Sequence, residues 1–226
     1  LCFSDGLWSK DRYLAGSDSQ RADSLVTALS DNTAKLVWMA RGGYGATRIH
    51  SELLSRFPAE PVPLIGFSDG TAIHAVFQQF QKLSFHGPVI TQLHRLDGDS
   101  LQQCHQILFD DPDPCVFPEL TPLTDCVQTG PASIWGGNLA LLTSMIGTPA
   151  HVSFNNKMIF LEDVGEATYR IDRMLQQLIL SGELDQAAGI VLGHFTGASD
   201  QDREWNEILW QEVASKIQCP VWNGLA

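Results

Sequence analysis

Residues Val62–Phe80 (VPLIGFSDGTAIHAVFQQF) carry the pattern that most restricts how this chain can fold. An apolar run ends in Gly66-Phe67-Ser68-Asp69-Gly70. A segment with Ile73, Val76, Phe77 and Phe80 at helical spacing follows at once. Strand, sharp turn and helix form the setting of a G-x-S-x-G nucleophile elbow. Such a turn forces the serine into a strained, exposed conformation, and the flanking glycines remove Cβ atoms that would clash. The helix N-terminus then directs free N–H groups at any oxyanion formed beside Ser68. The plainer reading is a strand–helix turn in which Ser68 or Asp69 only caps the helix.

Two other stretches repeat this design. Lys35–Ala40 reads as a short buried strand running into Arg41-Gly42-Gly43-Tyr44-Gly45, and Ile49, Leu53 and Leu54 mark the helix beyond. Three glycines in four positions allow close backbone approach, so the loop can offer N–H groups to an anion or a tetrahedral intermediate, or can simply turn tightly. Neither G-x-x-x-x-G-K-[ST] nor G-x-G-x-x-G is present, which argues against a nucleotide loop. Further on, Lys157–Asp163 reads as a strand, with Leu161–Glu166 as an acidic loop before a helix bearing Ile171, Met174, Leu175, Leu178 and Ile179. In α/β folds the carboxyl ends of strands gather side chains into a site. A serine nucleophile needs a base, and the base needs an orienting acid, for which Glu162 is the candidate.

The remaining pattern completes an α/β protein. Helices are expected over 18–29, 100–108, 139–147 and 202–217, with strands over 83–88, 189–195 and 220–222 and a short one at 125–128. Prolines 112, 114, 118, 122 and 131 interrupt the middle of the chain. They divide it into residues 1–110, a linker at 111–130 and residues 131–226. Among the histidines, His74 and His86 have ordinary structural explanations, and no H-x-x-x-H or H-E-x-x-H spacing suggests a metal. A net charge of −12 argues against non-specific binding of nucleic acid or anionic membranes. Five cysteines without a C-x-x-C pair favour reduced thiols, and no apolar run is long enough to span a membrane. The opening LCFSDGLW and closing CPVWNGLA both read as internal to a longer sequence.

Six segments now carry a resemblance: RGGYGATR, GFSDGTAI, FHGPV, SIWGGNLALLTSMIGTP, FLEDVGEATYRIDRMLQQL and GIVLGHFTG. In this order they resemble the LD-carboxypeptidases, the murein tetrapeptide carboxypeptidases grouped with microcin C immunity peptidases. The likeness runs from about Tyr13 to Ala226. It implies a flavodoxin-like N-terminal domain, here without its first strand and helix, and a smaller mixed α/β C-terminal domain. It implies a cytoplasmic, homodimeric serine peptidase with a Ser–Glu–His triad and neither cofactor nor metal. Its partner would be a murein peptide, from which it releases terminal D-alanine in cell-wall recycling by cutting an L-to-D bond.

Residue by residue, the resemblance makes Ser68 the nucleophile and Glu162 the triad acid. It assigns the oxyanion donors to the backbone N–H groups of Gly43 and Asp69, and the substrate-binding positions to Gly42 and Trp135. Spacing alone nominates His194 as base, since serine, acid, histidine is the α/β-hydrolase order. The resemblance instead places the base just after the strand matching PVWNGLA, beyond Ala226, so the 226-residue chain is expected to lack turnover. The alternatives are an immunity-type peptidase acting on peptidyl-nucleotide antibiotics and a catalytically incomplete peptide-binding protein.

Overall fold

The computed structural model describes residues 2–109, 120–125, 130–197 and 199–225. The chain forms two compact units, Leu1–Asp113 with Gly147–Val152, and Pro114–Ile146 with Ser153–Ala226.

In the first unit, α1 (Asp18–Leu29) starts where Ser17 and Gln20 cap each other reciprocally. The strands are short: β1 (Val37–Trp38), β2 (Leu64–Gly66) and β3 (Ser84–His86). They make a parallel sheet in the order β1-β2-β3, with Val37 opposite Leu64 and Leu64 opposite Ser84. Parallel neighbours need crossovers, and α2 (His50–Arg56) and α3 (Thr71–Gln79) lie in them. A short helical turn, Ala46–Ile49, leads into α2. Every β2 residue is buried, as are Thr71 through Phe77 of α3, so the elbow sits between two core elements. The last helix of this unit, α4 (Gly98–Phe109), buries none of its residues. The returning segment adds to the unit as well, since the Gln79 amide donates to the carbonyls of Pro149 and His151.

The second unit holds a five-stranded sheet in the order β4-β8-β7-β6-β5. These are β4 (Thr121–Pro122), β5 (Ser133–Asn138), β6 (Lys157–Glu166), β7 (Gly189–Gly197) and β8 (Val221–Asn223). Only the β4–β8 pair is antiparallel. Helices α5 (Leu139–Met145), α6 (Thr168–Leu180) and α7 (Asp200–Lys216) follow β5, β6 and β7. Ile159, Leu161, Ile171, Leu175 and Leu178 are almost fully buried and form the centre of this core. No described helix is long and apolar enough to cross a membrane.

The mixed α/β class agrees with the expectation, but three local readings change. Ser133–Asn138 is a full parallel strand that the pattern does not suggest, because its two glycines are poor strand formers. They are there for backbone reasons. Gly136 has φ +150°, and a Cβ on it would stand 1.9 Å from the Phe160 carbonyl oxygen on β6. The expected acidic loop at 161–166 is instead the second half of β6, which keeps pairing with β7 as far as Glu166. The strand expected at 125–128 falls mostly outside the described residues. From the proline-rich stretch, Thr121–Pro122 pairs with Asn223 and Trp222, so that part belongs to the second sheet.

Candidate active site

The elbow is strained in the way its sequence pattern requires. Phe67 leaves β2 in extended conformation, with φ −141°, and Ser68 then takes φ +60°. A non-glycine residue in the left-handed region costs about 1–3 kcal/mol and persists where its surroundings enforce it. The turn closes through Gly70 N–H donating to the Phe67 carbonyl at 3.1 Å. Both flanking glycines lie over Met39. A Cβ on Gly66 would come 2.3 Å from its sulfur, and one on Gly70 2.8 Å. Ser68 is left half-exposed at the carboxyl end of β2, ahead of α3.

The glycine loop after β1 lies against this serine. A Cβ on Gly42 would stand 3.1 Å from Ser68 Cβ and 3.4 Å from its Oγ, so glycine keeps the loop close to the hydroxyl. Gly43 and Gly45 take φ +147° and +120°, which favour glycine. Two side chains hold the loop in place. Arg21 Nη1 donates to the Gly45 carbonyl at 2.9 Å, and the buried Asp69 carboxylate accepts the Ala46 N–H at 2.9 Å. Burial raises the Asp69 pKa, while the Ala46 hydrogen bond and the nearby Arg21 act against the rise. Sequence reasoning considered Asp69 as an oxyanion N–H donor or as a cap of the following helix. Its carboxylate ties the elbow to the glycine loop.

The two histidines near the elbow are structural. His74 Nε2 faces the Gly66 carbonyl at 3.1 Å and its Nδ1 faces Ser84 Oγ at 2.9 Å. Burial lowers its pKa to about 4, so the neutral ring donates from Nε2 and accepts from Ser84, joining β2, α3 and β3. His86 packs on Phe67 and His74, and burial, with His74 beside it, lowers its pKa to about 3.

In the second unit Glu162 lies within β6, opposite Asn138, where β5 pairing ends and α5 begins. It is 3% exposed. Burial and then the neighbouring Asp163 charge raise its pKa to about 8, with an Asn138 hydrogen bond opposing the shift. Asp163 is bound more firmly. It accepts the Ala140 N–H at 3.0 Å, the Val164 N–H at 2.8 Å and the Asn138 amide at 3.1 Å. Asn138 Oδ1 in turn accepts the Leu141 N–H at 3.1 Å and so caps α5. Asn138 therefore holds both carboxylates at the start of α5. Sequence reasoning missed this, although an Asn directly before an apolar helix is an N-cap signal.

On β7 the register slips by one residue, so that Gly193 and His194 together face the Glu162 position. A Cβ on Gly193 would lie 3.5 Å from Glu162 Cβ. His194 is exposed. The Trp135 indole is packed inside the second unit, 4% exposed, with its buried Nε1–H lacking a partner among the described residues. No group of three or more His, Cys, Asp or Glu among the described residues is arranged to hold a metal ion.

Parallel strands with helices in their crossovers define an α/β protein, with a strained serine at the end of one strand in the first unit and a buried glutamate on a strand of the second. The sequence matches the LD-carboxypeptidase N-terminal domain over residues 2–87 and the LD-carboxypeptidase C-terminal domain over residues 131–226. It is 37% identical over 214 residues to a probable murein peptide carboxypeptidase of Bacillus subtilis, covering 91% of this chain and 66% of that protein. A murein tetrapeptide carboxypeptidase of Pseudomonas aeruginosa is 33% identical over 230 residues, covering 95% and 73%. Among solved structures, muramoyltetrapeptide carboxypeptidase from Oxalobacter formigenes superposes with a TM-score of 0.77 at 28% identity, over 98% of this chain and 77% of that one. The microcin C7 self immunity protein, at 18% identity and a TM-score of 0.76 over 98% and 76%, shares the fold. This chain belongs to the LD-carboxypeptidase family, and it spans about two thirds of the length of the curated relatives it matches.

Proposed function

We propose that the protein is a serine carboxypeptidase that releases terminal D-alanine from a murein tetrapeptide. The observation that carries this reading is Ser68 at φ +60°, half-exposed, with Gly42 against its hydroxyl. Ser68 Oγ attacks the carbonyl before D-alanine and passes its proton to an imidazole. The N–H groups of Gly43 and Asp69 hold the oxyanion. Collapse of the intermediate returns that proton to the departing amine of D-alanine, and water then hydrolyses the acyl-enzyme. Gly42 leaves room for the substrate chain beside Ser68. Glu162 orients the imidazole. An imidazolium beside this desolvated carboxyl would favour its ionised form, the form that orients the ring.

We assign the base to a histidine outside residues 1–226, as the family resemblance does. The L-to-D bond, a cytoplasmic role in cell-wall recycling and a homodimeric state rest on the family resemblance. The names of the murein carboxypeptidase relatives support the substrate class. The test is D-alanine release by the protein at the length of its relatives, with an aminoacyl-sulfamoyl nucleoside as the competing substrate. Ser68→Ala is expected to abolish release, Glu162→Gln to cost at least about 10³-fold, and His194→Ala to stay within a few-fold. Activity of Ser68→Ala within tenfold of the parent removes the serine mechanism. A large loss in His194→Ala makes that residue the base.

A further inference from the structure

The glycine loop carries one group that the chemistry above leaves unused. Arg41 is exposed, and its Nε donates to the carbonyl of the adjacent Gly42 at 3.1 Å. Its Nη2 lies 3.8 Å from where a Cβ on Gly43 would stand, so the guanidinium folds back over the glycines. Neither terminal nitrogen has a protein partner among the described residues. Other arginines are occupied. Arg12, Arg21, Arg48, Arg56, Arg170 and Arg203 pair with carboxylates, and Arg173 lies over the Tyr169 ring. Arg95, in a separate helical turn, is the other exception. In a chain of net charge −12, an arginine left without a carboxylate beside the elbow calls for an anionic occupant.

The reaction supplies one. A carboxypeptidase must distinguish a free carboxylate one residue past the scissile bond from a chain that continues. A planar guanidinium meets a carboxylate with two parallel hydrogen bonds, which is the contact that makes this distinction. The placement fits as well. Gly42 touches Ser68, and the Arg41 head group rests over the next residue, with consecutive Cα atoms about 3.8 Å apart. The cation therefore rests on the glycine next to the one that approaches the nucleophile, on the same loop, and the carboxylate it would hold belongs to a single departing residue.

We propose that Arg41 binds the terminal carboxylate of the substrate and so restricts cleavage to the last residue. This rests on the peptidase reading above and adds to it the group that recognises the substrate's end. The test compares a tetrapeptide ending in free D-alanine with the same peptide ending in D-alaninamide, using the protein at the length of its relatives. Arg41→Met is expected to lower kcat/KM on the free acid by about 10²-fold, mainly through KM, and to cut the acid-over-amide preference at least tenfold. Arg41→Lys is expected to fall between, because an ammonium keeps the charge and loses the paired geometry. Calorimetric binding of both peptides to Ser68→Ala and to Ser68→Ala with Arg41→Met reads the same contact without turnover. An acid preference that survives Arg41→Met, or equal losses on both peptides, overturns the proposal. If the parent releases no D-alanine, the peptidase reading fails separately, and the binding pair still decides whether Arg41 holds a carboxylate.

Discussion

The region around Ser68 and the region around Glu162 share a plan and differ in what holds the central side chain. In each, an aspartate follows directly and accepts an N–H at the start of a helical segment elsewhere in the chain: Asp69 takes Ala46 N–H and Asp163 takes Ala140 N–H. At the elbow the central residue is held by backbone strain, a left-handed serine between two glycines that lie over Met39, with a glycine loop against it. On β6 the backbone of Glu162 is not left-handed, and the cost is electrostatic, a carboxyl almost without solvent beside a second acid. Strain is a local device, set by a few consecutive residues. Desolvation is a collective one, set by strands distant in sequence.

The largest effect expected from this comparison comes from removing the two aspartates. Asp163 accepts two backbone N–H groups and the Asn138 amide, whereas Asp69 accepts the Ala46 N–H, with a weaker contribution from the Gly45 N–H. Each buried donor left without an acceptor costs roughly 1–3 kcal/mol. Asp163→Ala should therefore destabilise its unit by about 3 kcal/mol and Asp69→Ala its own by about 2 kcal/mol. Urea unfolding, with hydrogen exchange to separate the two units, measures both. The reverse order would show that Asp69 carries the firmer joint.

The same contrast explains what the sequence alone discloses. Gly66, Ser68 and Gly70 lie within five residues, so strand, turn and helix are readable without knowledge of distant contacts. Glu162 is readable as an acid on a strand, but its burial depends on β5, whose Gly136-Gly137 pair argues against a strand until the approach to Phe160 is seen. The roles of Asn138 and Asp163 are hidden for the same reason, since both are set by pairing across β5 and β6. Six family segments in order identify the fold class where periodicity alone reaches only α/β.

A smaller effect tests the electrostatic half. Glu162 keeps its proton in the folded unit up to about pH 8, against 4.5 for the free group. Between these values the native state binds more protons than the unfolded chain, so stability falls as pH rises and the full cost is present above about pH 8. Glu162→Gln removes the ionisation while keeping the shape. Its second unit should be close to the parent at pH 5 and more stable than the parent by about 2 kcal/mol at pH 9. Thermal melts of both proteins across this range give the comparison. Parallel curves would mean that Glu162 is ionised in the folded state at neutral pH.

The smallest effect isolates the strain. At Ser68 an alanine inherits φ +60°, with its Cβ held in the left-handed region, whereas a glycine takes that conformation freely. Glycine also makes the unfolded chain more flexible, which opposes the gain by roughly 0.5–1 kcal/mol. The strain exceeds this offset, so Ser68→Gly should be more stable than Ser68→Ala by about 1 kcal/mol, with both inactive. At Glu162, where no positive φ exists to relieve, only the entropic term acts. Glu162→Gly should there be less stable than Glu162→Ala by about 0.5–1 kcal/mol. Denaturant melts of the four variants therefore predict opposite signs for one chemical change at the two sites. If glycine is the less stable choice at both, Ser68 sits in its turn without strain, and the elbow loses the feature that sets it apart from a capped strand–helix turn.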